Sequence, residues 1–168
     1  FWSHLKTYET YRGGPYGGGV IVLGRNVTFG SEMGATPDGR HAGDPLEDSM
    51  GPVAGRALSG PTASLLSSAA VDQTEGPMGV LRNLTLTGDF FETPETRSKV
   101  ASLVRTYFEQ GGQQVQITVT DPETLRDAQN NPEAHRDLIV RIGGYSDYFV
   151  HLPQDLQEDI IQRTAHGL

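Results

Sequence analysis

The sequence predicts an α/β protein, and three observations carry that reading. Residues 94–110 place Val100, Leu103, Val104, Tyr107 and Phe108 at helical spacing, on one apolar face. Residues 113–119 then alternate, with Val115, Ile117 and Val119 on one side and Gln114, Gln116 and Thr118 on the other, the period of a half-buried strand. Helical and extended patterns interleave from there to the end of the chain, so parallel connections are expected.

Taken in order, residues 1–12 space Trp2, Leu5, Tyr8 and Tyr11 by threes, which predicts a helical turn or two. The run Gly13-Gly-Pro-Tyr-Gly-Gly-Gly19 lacks the Lys and Ser/Thr of a phosphate loop and leads into Val20-Ile-Val-Leu23, a strand pattern. It is expected to be a flexible connection or a place of close backbone packing. Residues 26–57, punctuated by glycine and proline, read as a long irregular loop. Asp38, Arg40, His41, Asp44 and Glu47 within it make either a polar site or, as expected here, a solvated loop held by local salt bridges. Pro61 opens a helix over residues 61–70, and residues 80–81 and 83–88 read as a strand. Thr93 is the N-cap of the helix over 94–110, which Gly111 and Gly112 stop. Asp121 caps a short helix that ends at Asn130-Asn-Pro132. Residues 133–137 form a turn, and Pro153 opens a last helix with Leu156, Ile160 and Ile161 inward.

Composition excludes several functions. The net charge of −8 comes without a basic stripe, which argues against nucleic acid as a partner. No apolar run reaches membrane-spanning length, and Phe-Trp-Ser-His-Leu-Lys has no signal-peptide pattern. No cysteine is present, so neither a disulfide nor a thiolate metal site is available. The histidines are scattered without an i, i+4 pair, and no metal or bound cofactor is expected. Ser146 and Asp147 near His151 lack the nucleophile elbow of a hydrolase. Asp147 is expected to accept from backbone amides beside its turn. Asn26-Val-Thr28 and Asn83-Leu-Thr85 match the glycosylation tripeptide by chance. Glu158 and Asp159 are expected on the solvated side of the last helix.

One stretch stands out: Arg141-Ile-Gly-Gly-Tyr-Ser146, between Leu138, Ile139 and Val140 on one side and Tyr148, Phe149 and Val150 on the other. On residues alone, this is a Gly-Gly hairpin between two core-facing strands. It closely resembles the Arg-Val-x-Gly-Tyr signature of the glycyl radical enzymes, whose members include pyruvate formate-lyase and radical diol, choline and hydroxyproline lyases. Arg141 takes the arginine, Ile142 the valine, Gly143 the variable position, Gly144 the radical glycine and Tyr145 the tyrosine. Residues 137–150, 155–164, Thr36-Pro-Asp-Gly-Arg-His-Ala-Gly-Asp-Pro-Leu46 and Ser59-Gly-Pro-Thr-Ala-Ser64 resemble the lyase and dehydratase branch as well.

The resemblance implies a fold and a function. The fold would be the C-terminal part of a ten-stranded α/β barrel, with residues 1–60 a loop-rich barrel segment and 61–168 a glycyl radical domain. A buried glycine loop would be walled by Ile139, Val140, Ile142, Tyr148, Phe149 and Val150. Gly144 would store an unpaired electron, installed by a separate iron–sulfur activating enzyme that uses S-adenosylmethionine. Arg141 and Tyr145 would support the loop and present it to that activase. The radical would pass to a cysteine in an N-terminal part of a longer enzyme, since this chain has none and is expected to be inactive alone. The lack of an initiator Met fits a cut inside such an enzyme. Other expected partners are a small-molecule substrate and a second copy in a homodimer, in the cytoplasm or a bacterial microcompartment. The alternatives are a spare-part subunit that repairs a damaged enzyme and a non-catalytic interaction domain.

Overall fold

The computed structural model describes residues 2–21 and 24–163, and the backbone of 165–166. Three helices, α1 (Trp2–Leu5), α2 (Asn26–Ser31) and α3 (Gly60–Ala69), precede the first strand, β1 (Asn83–Leu86). Then come α4 (Pro94–Glu109), β2 (Gln116–Val119) and α5 (Pro122–Asn130). The hairpin β3 (Ile139–Arg141) and β4 (Ser146–Tyr148) follows, then α6 (Gln154–Gln162) and β5 (Ala165–His166).

β1 is the middle strand of a sheet ordered β2-β1-β5, and both pairings are parallel. A parallel neighbour needs a crossover, and α4 supplies it between β1 and β2. Thr93 starts α4 through a capping box: its hydroxyl accepts from the Thr96 amide at 3.1 Å, and the Thr96 hydroxyl accepts from the Thr93 amide at 3.2 Å. Gly111, at φ +98°, ends it. The face that α4 buries meets Leu84 and Leu86, which alternate inward along β1, together with Leu65 of α3 and Phe90. Burial of each such side chain contributes roughly 1.5–3 kcal/mol.

A second apolar cluster lies under the hairpin. Leu125 and Ala128 of α5, Ile160 and Ile161 of α6, and Val140, Ile142, Phe149 and Leu152 pack together. The hairpin is thus mounted on two helices, not on the parallel sheet.

Several expectations need correction. The helical turn expected within residues 1–12 is α1, Trp2–Leu5, but it does not reach the last two residues of the pattern: Glu9 bridges Pro15 in antiparallel fashion, and Tyr8 and Tyr11 are exposed. The loop over 26–57 contains α2, whose Gly30 lies against the Asp44–Leu46 backbone too closely for any side chain. That tertiary contact overrides a weak local pattern. Val20 bridges Val80 in parallel, while residues 22 and 23 of the expected strand lie outside the described residues. The strand over 113–119 begins only at Gln116 and ends on an exposed Val119; among the described residues β2 pairs only with β1. The glycine run does pack closely: a side chain at Gly18 would enter the Trp2 ring. Among the described residues, no helix is long and apolar enough to cross a membrane.

Candidate functional site

The hairpin register is Ile139↔Tyr148, Val140↔Asp147 and Arg141↔Ser146. Beyond it the Ile142 amide donates to the Tyr145 carbonyl at 2.9 Å, so Gly143 and Gly144 alone make the turn. Gly144 has φ +77°, a left-handed conformation that costs a residue with a Cβ about 1–2 kcal/mol. Arg141 grips the turn from one flank. Its Nη2 donates to the Gly144 carbonyl at 3.1 Å and its Nη1 to the Ser146 hydroxyl at 3.2 Å. These are charge-assisted bonds, stronger than neutral ones. The Asp147 carboxylate accepts from the Tyr148 amide at 2.7 Å, the bonding expected of it.

The apolar walls are only half built. Val140, Ile142 and Phe149 are buried, but Ile139 is 59% and Tyr148 43% exposed. Side chains alternate across a strand, so a hairpin seated on one core directs its other face outward. Gly143 is buried and Gly144 is exposed. The expected buried glycine loop is therefore, in this chain, a turn whose leading glycine is sealed and whose second glycine is open. Tyr145 is 42% exposed, yet its hydroxyl reaches back toward Gly24.

The other flank is held by a residue to which sequence reasoning assigned no role. The Nη1 of Arg163, just past α6, donates to the Ile142 carbonyl at 2.8 Å. The same nitrogen lies 3.0 Å from Asp48 Oδ2, while Nη2 and Nε donate to Asp159 Oδ2 at 3.1 and 3.3 Å. Asp159 also accepts from Asn26 Nδ2 at 2.9 Å, and Asp48 accepts from Asn83 Nδ2 on both oxygens, at 3.0 and 2.9 Å. Burial pushes the Asp48 carboxyl above its ordinary range, against the opposing pull of Arg163 and Asn83. A cavity of about 240 Å³ opens beside this cluster, lined in part by Leu46, Arg82, Asn83 and Gln162.

This overturns the expectation that Asp159 is solvated, because α6 turns that face inward, toward α2. Glu158, one position earlier, does pair at the surface, with Arg126. The i, i+4 spacing of Asp159 and Arg163 was the visible signal. Asn26 is buried and occupied by Asp159 and the Leu46 carbonyl, in keeping with a chance glycosylation match. In the loop, Arg40 is buried and donates to the carbonyls of Asp44 and Gly34, so backbone acceptors do the work expected of salt bridges. His151 stacks edge-on against Tyr148.

Residues 46–150 match the family model described as Glycine radical. The chain belongs to the glycyl radical family. Asp48, Asn83 and the entire hairpin fall within the matched stretch, while Arg163 lies beyond it. Glycyl radical relatives named as dehydratases recur. The Escherichia coli (strain K12) protein named Probable dehydratase YbiW is 40% identical over 173 residues, which cover 99% of this chain and 21% of that protein. The (2S)-3-sulfopropanediol dehydratase of Klebsiella oxytoca is 36% identical over 165 residues, 96% of this chain and 20% of the relative. Among solved structures, the glycerol-bound B12-independent glycerol dehydratase from Clostridium butyricum superposes with a TM-score of 0.93 at 40% identity. That likeness covers 99% of this chain and 21% of that one. Hydroxyproline dehydratase from Clostridioides difficile, solved with trans-4-hydroxy-L-proline bound, gives 0.91 at 34% identity, over 99% of this chain and 21% of that one. The chain thus spans about a fifth of the length of these relatives. The glycyl radical neighbours share its α/β fold.

Proposed function

We propose that this chain is the radical-bearing C-terminal portion of a glycyl radical dehydratase, with Gly144 the residue that stores the unpaired electron. One observation carries the assignment. In a chain of this family, the second residue of a two-glycine turn has φ +77° and its carbonyl held by an arginine.

Loss of a hydrogen atom from the Gly144 Cα leaves a centre that is stable when planar, with spin shared between the flanking amide and carbonyl. A side chain would crowd that geometry. Arg141 sets a cationic donor on the carbonyl oxygen, which favours electron density there. Arg141 and Tyr145 flank the turn and would present it to an S-adenosylmethionine-dependent iron–sulfur activating enzyme while its open side is uncovered. Once installed, the radical supplies hydrogen-atom abstraction from a cysteine thiol outside this chain. In the assembled enzyme, the remaining part of a ten-stranded barrel would cover the open side of the hairpin and exclude water and oxygen.

The relatives are named for diols, glycerol and hydroxyproline, so dehydration of a small hydroxylated compound is the reaction class we assign. Similarity to these large enzymes runs through 99% of the chain, including residues upstream of the matched family segment. That breadth favours a portion of an enzyme over a spare-part subunit.

Anaerobic activation is expected to produce a doublet electron paramagnetic resonance signal, split by the one remaining α-hydrogen of Gly144. Gly144→Ala should abolish it; a doublet that survives the substitution refutes the assignment.

A further inference from the structure

We propose that Arg163 is a positioning residue for the glycine turn: its guanidinium, fixed between Asp159 and Asp48, holds the Ile142 carbonyl and so sets the peptide that leads into Gly143 and Gly144. The proposal rests on the reading of Gly144 only for its functional weight. The geometry and the first arm of its test stand without that reading.

Four observations converge. The Ile142 carbonyl accepts from Arg163 at 2.8 Å, and the same residue's amide is spent on the Tyr145 carbonyl at 2.9 Å. Its side chain is completely buried in the core shared by α5 and α6. Ile142 is therefore fixed through amide, carbonyl and side chain at once, immediately before the turn. Arg163 is in turn held in place: its side chain is only 14% exposed and every guanidinium nitrogen has an acceptor.

The anchors come from separate parts of the fold. Asp159 belongs to α6 and is steadied by Asn26 of α2. Asp48 belongs to the loop before α3 and is steadied by Asn83 of β1. Arg163 therefore ties the hairpin to the parallel sheet, which otherwise belongs to a different apolar cluster. Arg141 and Arg163 divide the labour: the first holds the last carbonyl of the turn, the second the carbonyl that leads into it.

A planar guanidinium can serve two carboxylates and a carbonyl together, whereas the compact ammonium of lysine cannot cover that fork. The test compares Arg163→Lys, Arg163→Gln and the surface control Arg126→Gln in the full-length protein. Amide hydrogen exchange is read at Ile142 and, as an internal standard, at Leu84 and Leu86 of β1. The Ile142 amide should exchange about tenfold faster or more in Arg163→Gln, the size expected for one lost bond to a charged group. Arg163→Lys should be intermediate, and Arg126→Gln should match the wild type. Leu84 and Leu86 should be unchanged throughout. Equal exchange at Ile142 in all proteins overturns the proposal. So does acceleration that includes Leu84 and Leu86 to the same degree, since that reports general loosening. Should Arg163→Gln fail to fold, Arg163→Lys, which keeps the charge between the two carboxylates, decides alone. In a second arm, activation of the same proteins should give a lower radical yield in Arg163→Gln and Arg163→Lys than in Arg126→Gln. A wild type without any radical refutes the Gly144 assignment, while the exchange data still decide the role of Arg163.

Discussion

At Asp48 burial and charge pull in opposite directions. Burial raises its carboxyl above the ordinary 3.8, Asp159 adds to the rise, and Arg163, Asn83 and Arg82 oppose it. Burial is the largest of these, so the folded chain holds this proton more tightly than the unfolded chain. Between 3.8 and the raised value the folded state binds more protons, and its stability falls as pH rises through that window. Asp48→Asn should remove this slope. Urea midpoints followed from acid to neutral pH check it; identical slopes in the two proteins would mean that the pull of Arg163 cancels the cost of burial. Gly144 has a different requirement. Its positive φ alone already favours glycine, so a structural demand coincides with the chemical one proposed for this residue.

α4 illustrates how a helix is tuned by its ends. The capping box at Thr93 and the glycines at 111 and 112 delimit it, but the two glycines act differently. Gly111 supplies a left-handed backbone, whereas Gly112 leaves room for the ring of Tyr107, against which any Cβ would collide. Tyr107 cannot easily yield. It is 1% exposed, and its hydroxyl is engaged by Gln73 and by the Gln114 carbonyl. Gly112→Ala is therefore expected to destabilise the protein by about 1–3 kcal/mol, the range for overpacking a core. Chemical denaturation of the variant, with Gly111→Asn as a comparison that respects the left-handed position, measures it. A loss below about 0.5 kcal/mol, the level of a neutral surface change, would contradict the packing argument.

At the level of the entire chain, two apolar clusters are joined by a polar bridge. One lies between α3, α4 and β1; the other lies between α5, α6 and the hairpin. Asp48, Asn83, Asp159 and Arg163 link them. Among the described residues β2 pairs on one side only, and its Val119 is 51% exposed. An uncovered edge strand is a template for pairing with another chain. The isolated 168-residue chain is accordingly expected to self-associate, and Val119→Lys to reduce this. Sedimentation velocity across a concentration series tests the point; a strictly monomeric wild type would show that the edge is otherwise protected.

Much of this organisation was legible beforehand. Amphipathic spacing in α4, the Asp121 cap of α5 and the parallel connection between β1 and β2 are local patterns, and helix and strand periods are local information. The six residues around Gly144 were legible because they are contiguous, and the family match bears out that resemblance. α2 was hidden because its Gly30 reads as a loop signal until the Asp44–Leu46 backbone packs on it. Asp159 read as surface charge because sequence does not reveal what lies opposite a helix face. The sequence by itself thus determined the elements from α3 to α6 and the contiguous glycine turn between them. Only the tertiary structure decided that Gly144 stands open while Ile142 is sealed, and that Asp48 and Arg163 meet beneath it. The physical reason is that a buried charge needs partners wherever the packed core puts it, and those partners come from segments far apart along the chain.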